Sequence, residues 1–204
     1  MKIVFMGPQG CGKGTQAKIL SKRLGICHIS TGDLLRNAEG DLKKELDEYM
    51  NSGKLVPDEL IVKILKERIQ EADCNEGFIL DGFPRNLNQA NLLKNIVDID
   101  KIVEIGLSDE EAVKRISGRV NCKMCGESYN TLTDAHPKIE GKCDSCGGEL
   151  FRRADDSEEA VKKRLEIYHS ETEPILDLYK DEVVRINGEQ SIDSIAKEIE
   201  EKVG

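Results

Sequence analysis

The stretch Gly7-Pro8-Gln9-Gly10-Cys11-Gly12-Lys13-Gly14-Thr15 constrains this chain more than any other. The apolar run Ile3-Val4-Phe5-Met6 precedes it and reads as a short buried strand. After it, Ala17, Leu20 and Leu24 share one helical face, and Gly25 is a natural stop. Strand, glycine-rich turn and helix together form the context in which such a loop binds phosphate. Glycines let backbone N–H groups turn inward unobstructed, and the helix N-terminus adds unpaired donors and partial positive charge. Lys13 then reaches the outer phosphates, and Thr15 offers a hydroxyl to phosphate or Mg²⁺. The loop departs from G-x-x-x-x-G-K-[ST] in one respect: Gly14 follows the lysine and the hydroxyl comes one residue later.

At 204 residues the chain suits one main domain with room for insertions. A formal net charge of -9 weighs against a general nucleic-acid partner, which calls for a basic surface. No apolar run is long enough for a signal segment or a membrane span, so the reading is a soluble, cytoplasmic protein with no membrane partner. No apolar surface helix demands a second copy, and a monomer is the default.

Cys122, Cys125, Cys143 and Cys146 have the spacing C-x2-C-x17-C-x2-C. In a cytosolic chain that spacing reads as a four-thiolate zinc site, with disulfides or free thiols as the alternatives. Each pair is followed by glycine (Gly126; Gly147 and Gly148), which suits a tight turn. Cys11, Cys27 and Cys74 read as core or turn residues rather than nucleophiles. Residues 120–150 are poor in aliphatic side chains, so metal would have to supply stability that burial does not.

Further strands are expected at Ile26–Ile29, Phe78–Leu80, Lys101–Gly106 and Val183–Ile186, alternating with helical patterns. That alternation predicts an α/β fold: a five-stranded parallel sheet with helices on both faces. Two insertions, at 30–57 and 120–152, would emerge near its ligand side. Ser30 resembles a helix start, and Ser108 with Glu111 has capping-box spacing. Asp81, ending the third strand, stands where a Mg²⁺-water contact is usual, and Arg85 four residues on can grip a phosphate. Arg115 and Arg119 share a helix face, which without the phosphate loop would read as a solvated cationic face. A lone His28 in a short strand reads as structural.

Taken together, the motifs closely resemble the adenylate kinases, in the long-lid, zinc-containing form of these P-loop nucleoside-monophosphate kinases. The matching elements are the loop at 7–15, Ser30-Thr31-Gly32-Asp33-Leu34-Leu35-Arg36, Gly53-Lys54-Leu55-Val56-Pro57-Asp58-Glu59, Asp81-Gly82-Phe83-Pro84-Arg85 with Gln89, and Arg153-Ala154-Asp155-Asp156. They stand in family order and span essentially the whole chain, and the Gly14 departure fits the family's form of the loop. The resemblance implies reversible transfer of a phosphoryl group from MgATP to AMP, giving two ADP and balancing the adenine nucleotides. It implies a core at 1–29, 60–118 and 154–204, an AMP-binding flap at 30–59 and a zinc lid at 119–153.

By the same resemblance Gly10, Cys11, Gly12, Lys13, Gly14 and Thr15 hold the ATP phosphates, Arg115 stacks on the ATP base, and Gln190 pairs with a backbone contact to that base. Arg119, Arg153 and Arg164, with Lys13, surround the transferring group. Arg36 and Arg85 hold the AMP phosphate. Thr31 and Gln89 read its adenine, with Val56, Gly82, Arg153 and Arg164 completing that site. Asp81 is similar to a carboxylate that organises Mg²⁺ water, and Asp155 or Asp156 to one at the lid hinge. The rival readings are a kinase with a UMP or CMP acceptor or a GTP donor, and a zinc-ribbon binding module with a nucleotide-driven switch.

Overall fold

The computed structural model describes residues 1–51, 56–133, 135–153 and 156–204. The chain begins with β1 (Lys2–Met6), α1 (Lys13–Leu24), β2 (Cys27–Ser30), α2 (Thr31–Arg36), α3 (Gly40–Asn51) and α4 (Asp58–Arg68). A single 3-10 turn (Ala72–Cys74) then leads into β3 (Phe78–Asp81), α5 (Leu87–Lys94), β4 (Lys101–Gly106) and α6 (Asp109–Ser117). An insertion carries β5 (Arg119–Cys122), β6 (Ser128–Asn130) and β7 (Leu150–Phe151). The chain closes with α7 (Glu158–Ile167), a π-turn (Tyr168–Thr172), α8 (Ile175–Leu178), β8 (Val183–Asn187) and α9 (Ile192–Val203).

The five expected strands form one sheet in the order β2-β3-β1-β4-β8, every pairing parallel. A parallel sheet is covered on both faces, so the inner strands β1 and β3 are apolar almost throughout rather than alternating, while the edge strands β2 and β8 carry polar residues. Within β1, Val4 and Met6 point to one face, packed with Leu65 of α4, Leu93 of α5 and Leu176 of α8. Ile3 and Phe5 point to the other, packed with Leu20 of α1 and Ile195 and Ile199 of α9. Each fully buried aliphatic side chain contributes about 1.5–3 kcal/mol, against about 0–1 kcal/mol for an exposed ion pair, so these two faces dominate stability. No helix among the described residues is long and apolar enough to cross a membrane.

Local chemistry sets the helix ends. Gly12 (φ 93°) caps the start of α1 in the left-handed region, and Gly25 (φ 66°) ends it. The Ser30 hydroxyl accepts the Asp33 N–H at the start of α2, as expected. The capping box expected at Ser108 does not form. Ser108 Oγ donates to Glu189 Oε1 at 2.6 Å instead, and Glu111 is engaged by Lys114 and Arg115.

Cys27 and Cys74, read from the sequence as core or turn residues, form a disulfide between β2 and the 3-10 turn, with Cα atoms 5.4 Å apart. The insertion also holds more order than its sequence suggested, with β5 central in an antiparallel sheet of order β6-β5-β7.

Candidate active site

The site is built on the carboxyl ends of β1, β2 and β3. Beyond Met6 the chain turns through Gly7 (φ 143°), Gly10 (φ 82°) and Gly12, conformations that side chains resist. Lys13 Nζ donates to the Gly7 carbonyl at 2.5 Å and to the Pro8 carbonyl at 2.8 Å, bracing the loop. Cys11 is buried beneath the loop, its Sγ 3.5 Å from the same ammonium, and Thr15 lies partly open in the first turn of α1.

Gly14 has a steric reason. A β-carbon at residue 14 would lie 3.2 Å from Asp81 Oδ2, tighter than ordinary contact, so glycine lets this carboxylate approach the helix start. Asp81 is paired in register with Ser30 across β2 and with Phe5 across β1. His28 Nε2 lies 3.7 Å from it, an electrostatic contact and not a hydrogen bond.

Thr31, directly after Ser30, is 4% exposed, and its Oγ1 has no hydrogen-bond partner among the described residues. Arg36 donates to Asp33 Oδ1 at 2.5 Å. Arg85 Nε donates to the carbonyl of Gly82 (φ 82°) at 2.8 Å, and the Arg85 carbonyl accepts Thr172 Oγ1 at 2.6 Å. Arg85 keeps an exposed edge, yet desolvation lowers the pKa of its guanidinium, with Arg36 adding to the shift and Asp81 opposing it. Arg36 and Arg85 are therefore close enough to feel each other's charge, a repulsion that an anion between them would relieve.

Gln89, only 5% exposed, is held at both ends: Nε2 donates to Asp58 Oδ1 at 2.7 Å and Oε1 accepts the Arg85 N–H at 2.8 Å. Burial works against ionisation of Asp58, but the side-chain amides of Asn88, Gln89 and Asn86 outweigh it and hold this carboxyl below its ordinary range. Val56 lies half-buried just ahead of α4, while Gly53, Lys54, Leu55 and Asp155 of the sequence motifs lie outside the described residues. A cavity of about 240 Å³ adjoins the outer edge of β2, lined by Lys18, His28, Asp33 and Arg68 among others. None of its lining residues belongs to the phosphate loop.

Asp156, its side chain 5% exposed, gathers the arginines beyond the insertion. Arg119 binds it through both Nε, at 2.9 Å, and Nη2, and Arg164 Nη1 stands 3.8 Å from Oδ1. Arg153 acts electrostatically on Asp33, across the cleft from its own segment. Lys18 of α1 meets Glu127 of the insertion at 3.3 Å. The insertion therefore lies folded down on the core. Arg115 Nε is held by Glu111 at 3.0 Å. The Gln190 side chain turns away to Glu198 Oε2, at 2.8 Å, which leaves its backbone for any contact with a base.

The paired cysteines converge at the tip of the insertion. Their four sulfurs lie within 4.8 Å of one another, with contacts of 3.4 Å (Cys122–Cys146), 3.5 Å (Cys125–Cys143) and 3.4 Å (Cys125–Cys146). A disulfide needs about 2.0 Å, whereas four thiolates around a tetrahedral ion at about 2.3 Å stand roughly 3.8 Å apart. Gly126 (φ 70°) and Gly147 (φ 74°) form the turns, and the Met124 N–H points at Cys122 Sγ at 3.4 Å. A β-carbon at Gly148 would lie 2.9 Å from Cys122 Sγ, so glycine is needed there too. The donor set fits a soft tetrahedral cation such as zinc.

A phosphate loop at the switch point of a parallel sheet, two groups of arginines and, among the described residues, no positioned nucleophile define a phosphotransferase of the nucleoside-monophosphate kinase class. The sequence matches the model of the adenylate kinase family over residues 5–184. It is 46% identical to an adenylate kinase of Caldicellulosiruptor bescii, covering 100% of this chain and 99% of that one. It is 47% identical to one of Archaeoglobus fulgidus (98% and 96% covered) and 45% identical to one of Thermosipho africanus (98% and 97%). The chain belongs to the adenylate kinase family.

Sequence reasoning named Asp58 within the motif at 53–59 without giving it a role, and did not anticipate the Lys18–Glu127 contact. Nothing in sequence spacing pairs residues 58 and 89 or residues 18 and 127.

Proposed function

We propose that the chain catalyses reversible phosphoryl transfer from MgATP to AMP, giving two ADP. The observation that carries this reading is that Arg36 and Arg85, beyond β2 and β3, feel each other's charge, while Asp156 draws Arg119 and Arg164 together beyond α6. The loop amides and Lys13 hold the donor's outer phosphates, the ammonium leaving the Gly7 and Pro8 carbonyls for phosphate oxygens. Arg36 and Arg85 hold the acceptor phosphate, and one of its oxygens attacks the γ-phosphorus in line. The bond to the β-phosphate bridging oxygen breaks as the new P–O bond forms, so no enzyme-bound intermediate is needed. Arg119, Arg153 and Arg164 face the negative charge spread over the equatorial oxygens. Magnesium, when bound, neutralises phosphate charge, and Asp81 beside Gly14 is the carboxylate placed to face its waters.

Thr31, whose buried hydroxyl lacks a partner among the described residues, and Gln89 read the acceptor's adenine. Val56 and Gly82 line the same site. Arg115 and the backbone at Gln190 face the donor's base. Residues 30–59 act as the acceptor flap and 119–153 as the lid, which excludes water as a competing acceptor. We read the ion of the lid as zinc in a structural role, because four thiolates leave no open position for chemistry. We read the chain as a cytoplasmic monomer, and the net charge of -9 weighs against a nucleic-acid partner.

The test is diphosphate formation from MgATP with AMP, GMP, CMP and UMP in turn. A strong preference for AMP, with ADP the sole product, is expected. Equal use of UMP or CMP would overturn the roles of Thr31 and Gln89, and no transfer to any acceptor would overturn the reading as a whole.

A further inference from the structure

We propose that Asp58 sets the choice between 6-amino and 6-oxo purines, by locking the Gln89 carboxamide in one of its two orientations. The inference rests on the acceptor site proposed above. A carboxamide can be rotated by half a turn with little change of shape, exchanging an acceptor for a donor, and only its neighbours decide which way it stands. Both neighbours of Gln89 are one-way partners. The Asp58 carboxylate only accepts, so it takes Nε2 at 2.7 Å. The Arg85 backbone N–H only donates, so it takes Oε1 at 2.8 Å. A turned amide would place oxygen against carboxylate and NH₂ against N–H, losing both bonds at a site only 5% exposed.

The lock is itself held. Asp58 also accepts from Asn88 Nδ2 at 2.7 Å and from Asn86 Nδ2 at 3.4 Å, and Asn86 Oδ1 accepts the Gln89 N–H at 2.8 Å. Asp58 opens α4, where the helix N-terminus favours a negative charge. One N–H and one carbonyl lone pair of Gln89 remain for a ligand. That remainder, a donor beside an acceptor in fixed order, matches adenine, which offers an acceptor at N1 and donors at its 6-amino group. Hypoxanthine presents N1–H and a 6-oxo group, the opposite order, and meets donor with donor and acceptor with acceptor. Thr31 lacks this directionality, because a hydroxyl rotates to suit either base.

Inosine monophosphate is the probe, since it differs from AMP only at those positions. For the unaltered enzyme, kcat/KM for AMP should exceed that for IMP by roughly a thousandfold or more. Asp58→Asn presents a side chain that donates as well as accepts, so turning the Gln89 amide costs only the bond to the Arg85 N–H rather than both bonds. The AMP-to-IMP ratio should fall about tenfold, the worth of the one bond given up, mostly through acceptor KM. Asp58→Glu keeps an acceptor-only partner and should retain the ratio even where overall activity drops. Asp58→Ser, which also donates and accepts, is the second probe if the Asn variant folds poorly, read by the same ratio.

A ratio unchanged in the donating variants would overturn the proposal, because a merely structural Asp58 lowers both acceptors alike. A wild-type enzyme with no preference for AMP would instead overturn the acceptor-site reading, and this inference with it.

Discussion

Asp156 turns two arginines toward one another, and the energetics of that contact differ from those of the surface pairs. Its side chain is 5% exposed and that of Arg119 is 21% exposed, so the pair is screened far less than an exposed one. Losing one partner of a fully buried pair costs about 3–5 kcal/mol, and the partial exposure of Arg119 brings the expectation down to about 1–3 kcal/mol. Asp156→Asn keeps the shape and removes the charge. We expect a lower melting temperature and a kcat reduced by roughly ten- to a hundredfold, because Arg119 and Arg164 lose their common anchor and misplacement of that order suffices. Steady-state kinetics at a temperature where the variant is folded checks this. An unchanged kcat would mean that the arginines find their places without Asp156.

Among the elements, the cysteine-rich insertion depends most on something other than burial. Its strands run two to four residues, and Met124, Leu132 and Ile139 are exposed rather than packed. A structural metal supplies folding free energy outright in such a piece. Stripping the metal with a chelator under mildly denaturing conditions should lower the melting temperature and create an early transition belonging to the insertion, seen by calorimetry. Identical melts with and without metal would refute a structural ion.

The same contrast explains what could be read beforehand. The inner strands of the sheet are apolar because both faces are covered, and that pattern is local in sequence. The strands of the insertion alternate with cysteine-bearing turns and bury little, so no periodicity betrays them. The phosphate loop and the cysteine pairs were legible because their chemistry demands fixed spacing. The Asp58–Gln89 bond, the Cys27–Cys74 disulfide and the preference of Ser108 for Glu189 over Glu111 were not, because each joins residues that only the tertiary fold brings together.

For the molecule as a whole, the Lys18–Glu127 pair ties α1 directly to the insertion. With side chains 40% and 39% exposed, the pair is worth about 0.2–1 kcal/mol, which corresponds to at most roughly a fivefold change in the balance of closed and open forms. Glu127→Lys should shift that balance toward open by this modest factor, and adding Lys18→Glu should restore it. Energy transfer between dyes on the insertion and on α1 would follow the change, which salt should weaken. No shift in the single variant would show that the contact follows closure without favouring it.

The disulfide between β2 and the 3-10 turn has a topological consequence. Cys27 and Cys74 stand 47 residues apart, and between them the chain runs through the whole of α2, α3 and α4. The segment that carries Thr31, Arg36 and Asp58 is thus a covalent ring within an otherwise linear polymer. A break anywhere in that ring would open it without dividing the molecule, and the two ends of the segment stay anchored to one post however far its middle travels.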